Sequence, residues 1–70
     1  MTVGSLVQGK RKAMGLSCGE AADRCGVSRQ VLSNVERDKH APSLATSIRL
    51  IDGLAIDPLV FLREARHACS

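Results

Sequence analysis

Seventy residues with 44% hydrophobic and 24% charged side chains make one domain at most, and so short a chain leaves about forty per cent of its surface exposed on folding, so any core is compact. That aliphatic content offsets the entropy of ordering and excludes a disordered chain. Ten Lys and Arg against seven Asp and Glu, a net charge of +3, favour an anionic partner but exclude the extreme excess of a basic tail.

The single aromatic residue is Phe61, and a core of Leu, Ile, Val, Ala and Met with few β-branched runs leans toward helices. Val3, Leu6, Val7, Lys10 and Met14 recur at helical spacing, and Gly15 stands where a left-handed cap would end this first helix. Ser17-Cys18-Gly19-Glu20 reads as a capping box, the Ser17 hydroxyl accepting from the Glu20 amide while the Glu20 carboxylate accepts from the Ser17 amide. The second helix therefore starts at about Cys18, turns Ala21, Ala22 and Cys25 inward and stops at Gly26. Ser28 is the next N-cap. Turned at 100° per residue from Arg29, the third helix places Arg29, Gln30, Ser33 and Asn34 on an arc of roughly 140°, with Val31, Leu32 and Val35 opposite. Arg37 to Ser43 is a polar loop closed by Pro42; Ser43 then caps a fourth helix carrying Leu44, Ile48, Ile51 and Leu54. Asp57 and Pro58 suit the N-cap and first position of a fifth. The expected fold class is all-α, five short helices without strands in a single domain over residues 1–70.

The three cysteines, Cys18, Cys25 and Cys69, are an odd number without a CxxC pair, and indicate neither a disulfide framework nor a zinc ribbon. On one helix Cys18 and Cys25 would lie roughly 10 Å apart, beyond disulfide reach. His40 and His67 lack a metal-ligand spacing and read as surface histidines. No metal or cofactor is expected. Glycine-rich phosphate loops, a nucleophile elbow and a Ser/His/Asp grouping are all missing from the sequence, so no catalysis is expected. With neither a basic leader nor a long apolar run, the expected setting is cytoplasmic, without membrane contact.

Two short helices joined by about three residues around a glycine, the second exposing a polar row, are the arrangement that inserts a helix into the DNA major groove. The chemistry of the row fits. Arg29 can donate twice to guanine, Gln30 and Asn34 can each donate and accept at adenine, and Ser33 can serve either.

Gly15-Leu16-Ser17, Gly26-Val27-Ser28-Arg29, Val35-Glu36-Arg37 and Pro42-Ser43-Leu44, in this order, resemble the lambda-repressor-like, or Xre-type, helix-turn-helix family over roughly residues 4–62, leaving a short tail at 63–70. The resemblance implies a five-helix DNA-binding domain whose helices 2 and 3 form the helix-turn-helix. It implies base reading by Arg29, Gln30, Ser33 and Asn34, and phosphate contact by Ser17, Cys18, Ser28, Arg37, Lys39 and Ser43. It also implies a structural salt bridge between Arg11 and Glu36. Four positions depart from the family pattern. Cys18 replaces a common Gln and is a poorer donor; Ala21 replaces a larger aliphatic, which implies looser packing or compensation by Met14; Asp38 and Ala55 replace frequent glycines.

Transcriptional regulators of this family, repressors among them, bind palindromic operators as homodimers, and double-stranded DNA is the partner the resemblance implies. Leu59 and Leu62 match family core positions, which would leave Val60 and Phe61 of the fifth helix as the dimer-interface candidates. The alternative reading is a protein-interaction module, an antitoxin or anti-repressor, that keeps the fold but acts on a protein partner. Such a module would be expected to lose the Arg29, Gln30 and Asn34 row or the Arg37 and Lys39 cations, and all are present.

Overall fold

The computed structural model describes residues 2–39 and 42–69, the side chains of 66–69 excepted. His40 and the side chains of His67 and Cys69, each considered above, lie outside the described residues. Five helices follow one another: α1 (Val3–Ala13), α2 (Cys18–Cys25), α3 (Arg29–Glu36), α4 (Leu44–Gly53) and α5 (Pro58–Cys69). Among the described residues there is no strand. The last helix continues well beyond residue 62, as the run of Glu, Arg and Ala after it favours.

Local chemistry sets the helix starts. Thr2, Ser17, Ser28 and Ser43 each accept, through the side-chain hydroxyl, a hydrogen bond from the backbone amide three residues on. The Asp57 carboxylate accepts from the Leu59 amide at 2.9 Å. At α2 the capping box is complete, with Glu20 returning to the Ser17 amide at 3.0 Å. That backbone hydrogen bond holds the Glu20 carboxyl below the usual range. Its contribution is therefore present above the ordinary carboxylate pKa and fades as the pH falls through the lowered one.

The helix ends share one device. After α1, α2, α3 and α4 a residue takes the left-handed conformation: Gly15, Gly26, Asp38 (φ 55°) and Ala55 (φ 52°). The following amide then reaches back five residues, as Leu16 to Arg11, Val27 to Ala22, Lys39 to Asn34 and Ile56 to Ile51. Alanine carries the steric cost of that conformation without a polar side chain to offset it. In contrast, Gly9 is an exposed position inside α1, and a Cβ there would meet nothing within 4 Å. We expect Ala55→Gly and Gly9→Ala each to stabilise the fold by about 0.5–1 kcal/mol, additively, raising the thermal midpoint by several degrees apiece. Calorimetry of the two variants and their combination checks this.

The core joins the inward stripes of all five helices. Val3, Leu6 and Val7 of α1 meet Leu32 and Val35 of α3, and Ala21, Ala22 and Cys25 of α2 are buried with Leu50, Leu54, Ile56 and Phe61. Helix α3 packs on both α1 and α2, α4 on α2, and α5 on α1. Two glycines make these approaches possible. A Cβ on Gly4 would fall 2.6 Å from the Glu36 carbonyl oxygen and 2.7 Å from that of Val35, and one on Gly53 would fall 2.6 Å from the Cys25 sulfur. Burial pushes the Cys25 thiol pKa up, which makes it an inert core residue.

Expectations about helix faces are overturned in α4 and α5. In α4, Leu44 and Ile48 are 75% and 58% exposed, and the buried position is Leu50 together with Leu54. In α5, Phe61 is fully buried whereas Leu59 and Leu62 are 71% and 56% exposed. Phe61 and Ala65, one turn apart, face the core together, and the aromatic ring removes more apolar area from water than either leucine would. Phe61 is therefore no interface residue, and Val60 is half-buried against the core. On the small scale, Val31 is partly exposed, and Met14 is too exposed to fill the space beside Ala21.

Candidate nucleic-acid interface

Helix α2 is short because Gly26 turns the chain, its amide donating to the Asp23 carbonyl at 3.2 Å and that of Val27 to Ala22 at 3.0 Å. Val27 continues the turn, partly buried against the core, and Ser28 opens α3 by accepting from the Val31 amide at 3.1 Å. The small side chains of Ala21, Ala22 and Cys25 let α3 settle closely on α2. Helix α4 fastens the pair from behind. Arg49 donates to the Gly26 carbonyl at 2.7 Å, and Arg24 donates to the Gly53 carbonyl at 2.9 Å, so each helix closes the C-terminal end of the other.

This framework presents the outer face of α3. Arg29 and Gln30 are exposed and Ser33 and Asn34 half-exposed. The Gln30 amide donates to the Asn34 side-chain oxygen at 3.3 Å, so these two residues meet on one row. Arg29 leans its aliphatic stem toward α2, where a Cβ on Gly19 would lie 3.6 Å from its Cδ; the guanidinium therefore stands at the junction of the two helices.

The residues expected at phosphates divide into two kinds. Ser17, Ser28 and Ser43 are the N-caps of α2, α3 and α4, each marking a helix start whose free amides and dipole favour an anion. Ser43 also donates to the Thr46 hydroxyl at 3.0 Å. Cys18, at the first position of α2, is half-buried against the core with a free thiol. Arg37 and Lys39 are exposed at the end of α3, and the Lys39 amide donates to the Asn34 carbonyl at 3.0 Å. Among the described residues, the side chains of Arg37 and Lys39 make no hydrogen bond to the side chains of the row on α3.

Behind the row, Arg11 of α1 holds Glu36 of α3 through two hydrogen bonds, at 2.8 and 3.0 Å, and donates a third at 3.1 Å to the Leu16 carbonyl. The bond to Glu36 raises the Arg11 pKa further above its usual value, so the guanidinium stays charged at any working pH. Among the described residues this is the only ion pair, and no carboxylate in that set neutralises Arg29, Arg37 or Lys39.

Several structural contributors carry weak or no signal in sequence. Asp38 accepts from the Thr2 hydroxyl and the Gly4 amide, and the Arg24 and Arg49 caps join residues 29 and 23 positions apart. Gly4, in the first turn of α1, and Gly53, the last residue of α4, were the available clue, because alanine is the better helix former wherever space permits.

Two short helices set by a tight left-handed turn, the second with a hydrogen-bonding face turned to solvent, define a helix-turn-helix, the class of fold that places a helix in DNA. A helix-turn-helix family model matches residues 7–61, and the chain belongs to the helix-turn-helix family of DNA-binding transcriptional regulators, in its Xre-type branch. Over 64 residues it is 36% identical to an immunity repressor protein of Bacillus phage phi105, a match covering 91% of this chain and 44% of that one. Over 50 residues it is 36% identical to an uncharacterised HTH-type transcriptional regulator of Methanothermobacter thermautotrophicus, covering 71% of this chain and 72% of that one. The chain thus spans less than half the length of the phage relative. No solved structure is a significant match. Among the described residues no helix is long and apolar enough to cross a membrane.

Proposed function

We propose that this chain is a non-enzymatic cytoplasmic repressor that binds a palindromic operator in double-stranded DNA as a homodimer. The observation that carries the proposal is the outward row of Arg29, Gln30, Ser33 and Asn34 on the second helix of the motif. In the major groove, Arg29 donates to guanine O6 and N7, while Gln30 and Asn34 pair with adenine N6 and N7. The N-termini capped by Ser17, Ser28 and Ser43, with Cys18 alongside and the cations of Arg37 and Lys39, hold phosphates and set the register. The name of the phage relative supports repression.

Reach supports a dimer. The longest dimension of the molecule is 31 Å, and one chain offers one reading helix, whereas neighbouring half-sites lie about 34 Å apart on one face of the duplex. The apolar residues left in solvent at α4 and α5, Leu44, Ile48, Leu59 and Leu62, are the surface a second copy would cover.

Enrichment of random duplexes by the purified protein tests this. A palindromic winner preferred by ~10³-fold over a scrambled duplex, with affinity falling steeply in salt, is the expected result; no enrichment overturns the proposal. On the winning duplex, Arg29→Ala should relax preference at one base pair at a cost of ~1–3 kcal/mol, whereas Lys39→Ala should weaken all sequences alike and lower the salt slope by about one. Equal effects of both substitutions on specific and random DNA would remove the assignment of roles.

A further inference from the structure

Asp38 is the one acidic residue between the cations Arg37 and Lys39, and its charge there opposes phosphate binding unless it is directed elsewhere. Both carboxylate oxygens are directed elsewhere. Oδ2 accepts from the Thr2 hydroxyl at 2.8 Å and Oδ1 from the Gly4 amide at 3.0 Å. Helix α1 has no acidic residue in its own first turn, so the carboxylate meets the positive end of that helix from across the fold. Thr2 is itself the α1 N-cap, its hydroxyl accepting from the Ser5 amide at 3.1 Å. Gly4 has no side chain, and a Cβ there would fall 2.8 Å from Asp38 Oδ1.

The backbone of Asp38 is equally committed. Its φ of 55° turns the chain away from α3, with its amide donating to the Val35 carbonyl at 3.1 Å and that of Lys39 to Asn34 at 3.0 Å. Glycine would take this turn with less strain. A residue with both a fixed backbone and both side-chain oxygens engaged sets the direction in which its neighbours leave.

We propose that Asp38 is a positioning residue for phosphate binding: by latching the end of α3 onto the N-terminus of α1, it aims Arg37 and Lys39 and turns its own charge away from the DNA. This rests on the DNA-binding reading above. It makes Thr2, 36 residues away in sequence, a contributor to DNA affinity without any contact of its own.

The test uses the full chain and the duplex enriched by the wild type, with affinity measured across a salt series and folding checked by circular dichroism. Asp38→Gly keeps the turn and removes the latch together with the charge; Thr2→Ala breaks one latch bond without changing any charge; Thr2→Ser keeps the hydroxyl. Loss of one well-placed phosphate contact lowers the slope of log affinity against log salt by about 0.9. The expected result is a slope reduced by about that much in Asp38→Gly, reduced in the same direction in Thr2→Ala, and restored in Thr2→Ser. If Asp38→Gly does not fold, the Thr2 pair carries the test. Wild-type slopes in folded Asp38→Gly and Thr2→Ala, or tighter binding by Asp38→Gly at unchanged slope, would overturn the positioning role while leaving the DNA reading intact. A wild-type protein that binds no duplex in a salt-dependent way would overturn both.

Discussion

Phe61→Ala is expected to cost about 3–5 kcal/mol, as truncation of a fully buried aromatic does. A domain of this size has roughly 4–10 kcal/mol of stability in all, so the variant should lose a large share of it. Phe61 is the largest of the fully buried side chains, and it ties α5 to a core otherwise assembled from aliphatic residues and Cys25. Leu59→Ala, two residues earlier but 71% exposed, should change the stability of the single folded chain by no more than about 0.5 kcal/mol. Urea unfolding of the two variants, followed by circular dichroism, separates them by a large margin. Equal losses would mean that α5 packs by its leucines instead.

Arg11→Ala is the second large effect, at about 3 kcal/mol. The substitution removes three hydrogen bonds and leaves the Glu36 carboxylate, whose side chain is 8% exposed, without its partner. An ionised group left buried and unpaired costs more than the pair contributes when intact. Arg11→Lys should recover only part of the loss, since an ammonium cannot present the forked donors that hold both carboxylate oxygens and the Leu16 carbonyl together. Replacing both partners, as Arg11→Met with Glu36→Gln, should recover most of it. The double-mutant cycle, read from denaturant midpoints, checks the sign: because methionine restores the aliphatic stem, a double variant no better than Arg11→Ala alone would show that the cost does not lie in the unpaired carboxylate.

Much of the architecture was legible because it is encoded locally. Ser17, Ser28, Ser43 and Asp57 cap their helices through atoms no more than three residues away, and Gly26 ends α2 by a conformation that few other residues adopt. The row on α3 was legible for a different reason: its polar and apolar residues separate on the wheel. In α5 they do not separate. Leu59, Val60, Phe61 and Leu62 are four consecutive apolar residues, so periodicity offers several faces of nearly equal merit. The choice is made by what the rest of the core can accommodate, and it goes to the ring. The same ambiguity hides Leu50 behind Leu44 and Ile48 in α4. The Asp38 latch was out of reach for a third reason, because an exposed-looking acid in a loop gives no sign of a partner 34 to 36 residues upstream.

The mutual capping by Arg24 and Arg49, together with the bare backbone of Gly53 pressed on Cys25, makes α2 and α4 a single strut. In the proposed dimer this strut runs from the turn before the reading helix to Leu44 and Ile48 of α4, two of the apolar residues proposed to meet the second copy. In that proposed dimer the distance between the two reading helices would act as a built-in ruler and not a hinge. One inserted base pair rotates a half-site by roughly a tenth of a turn about the duplex axis, and a rigid spacer has no joint with which to follow it. Operators for the proposed dimer would then be defined by their spacing as strictly as by their letters.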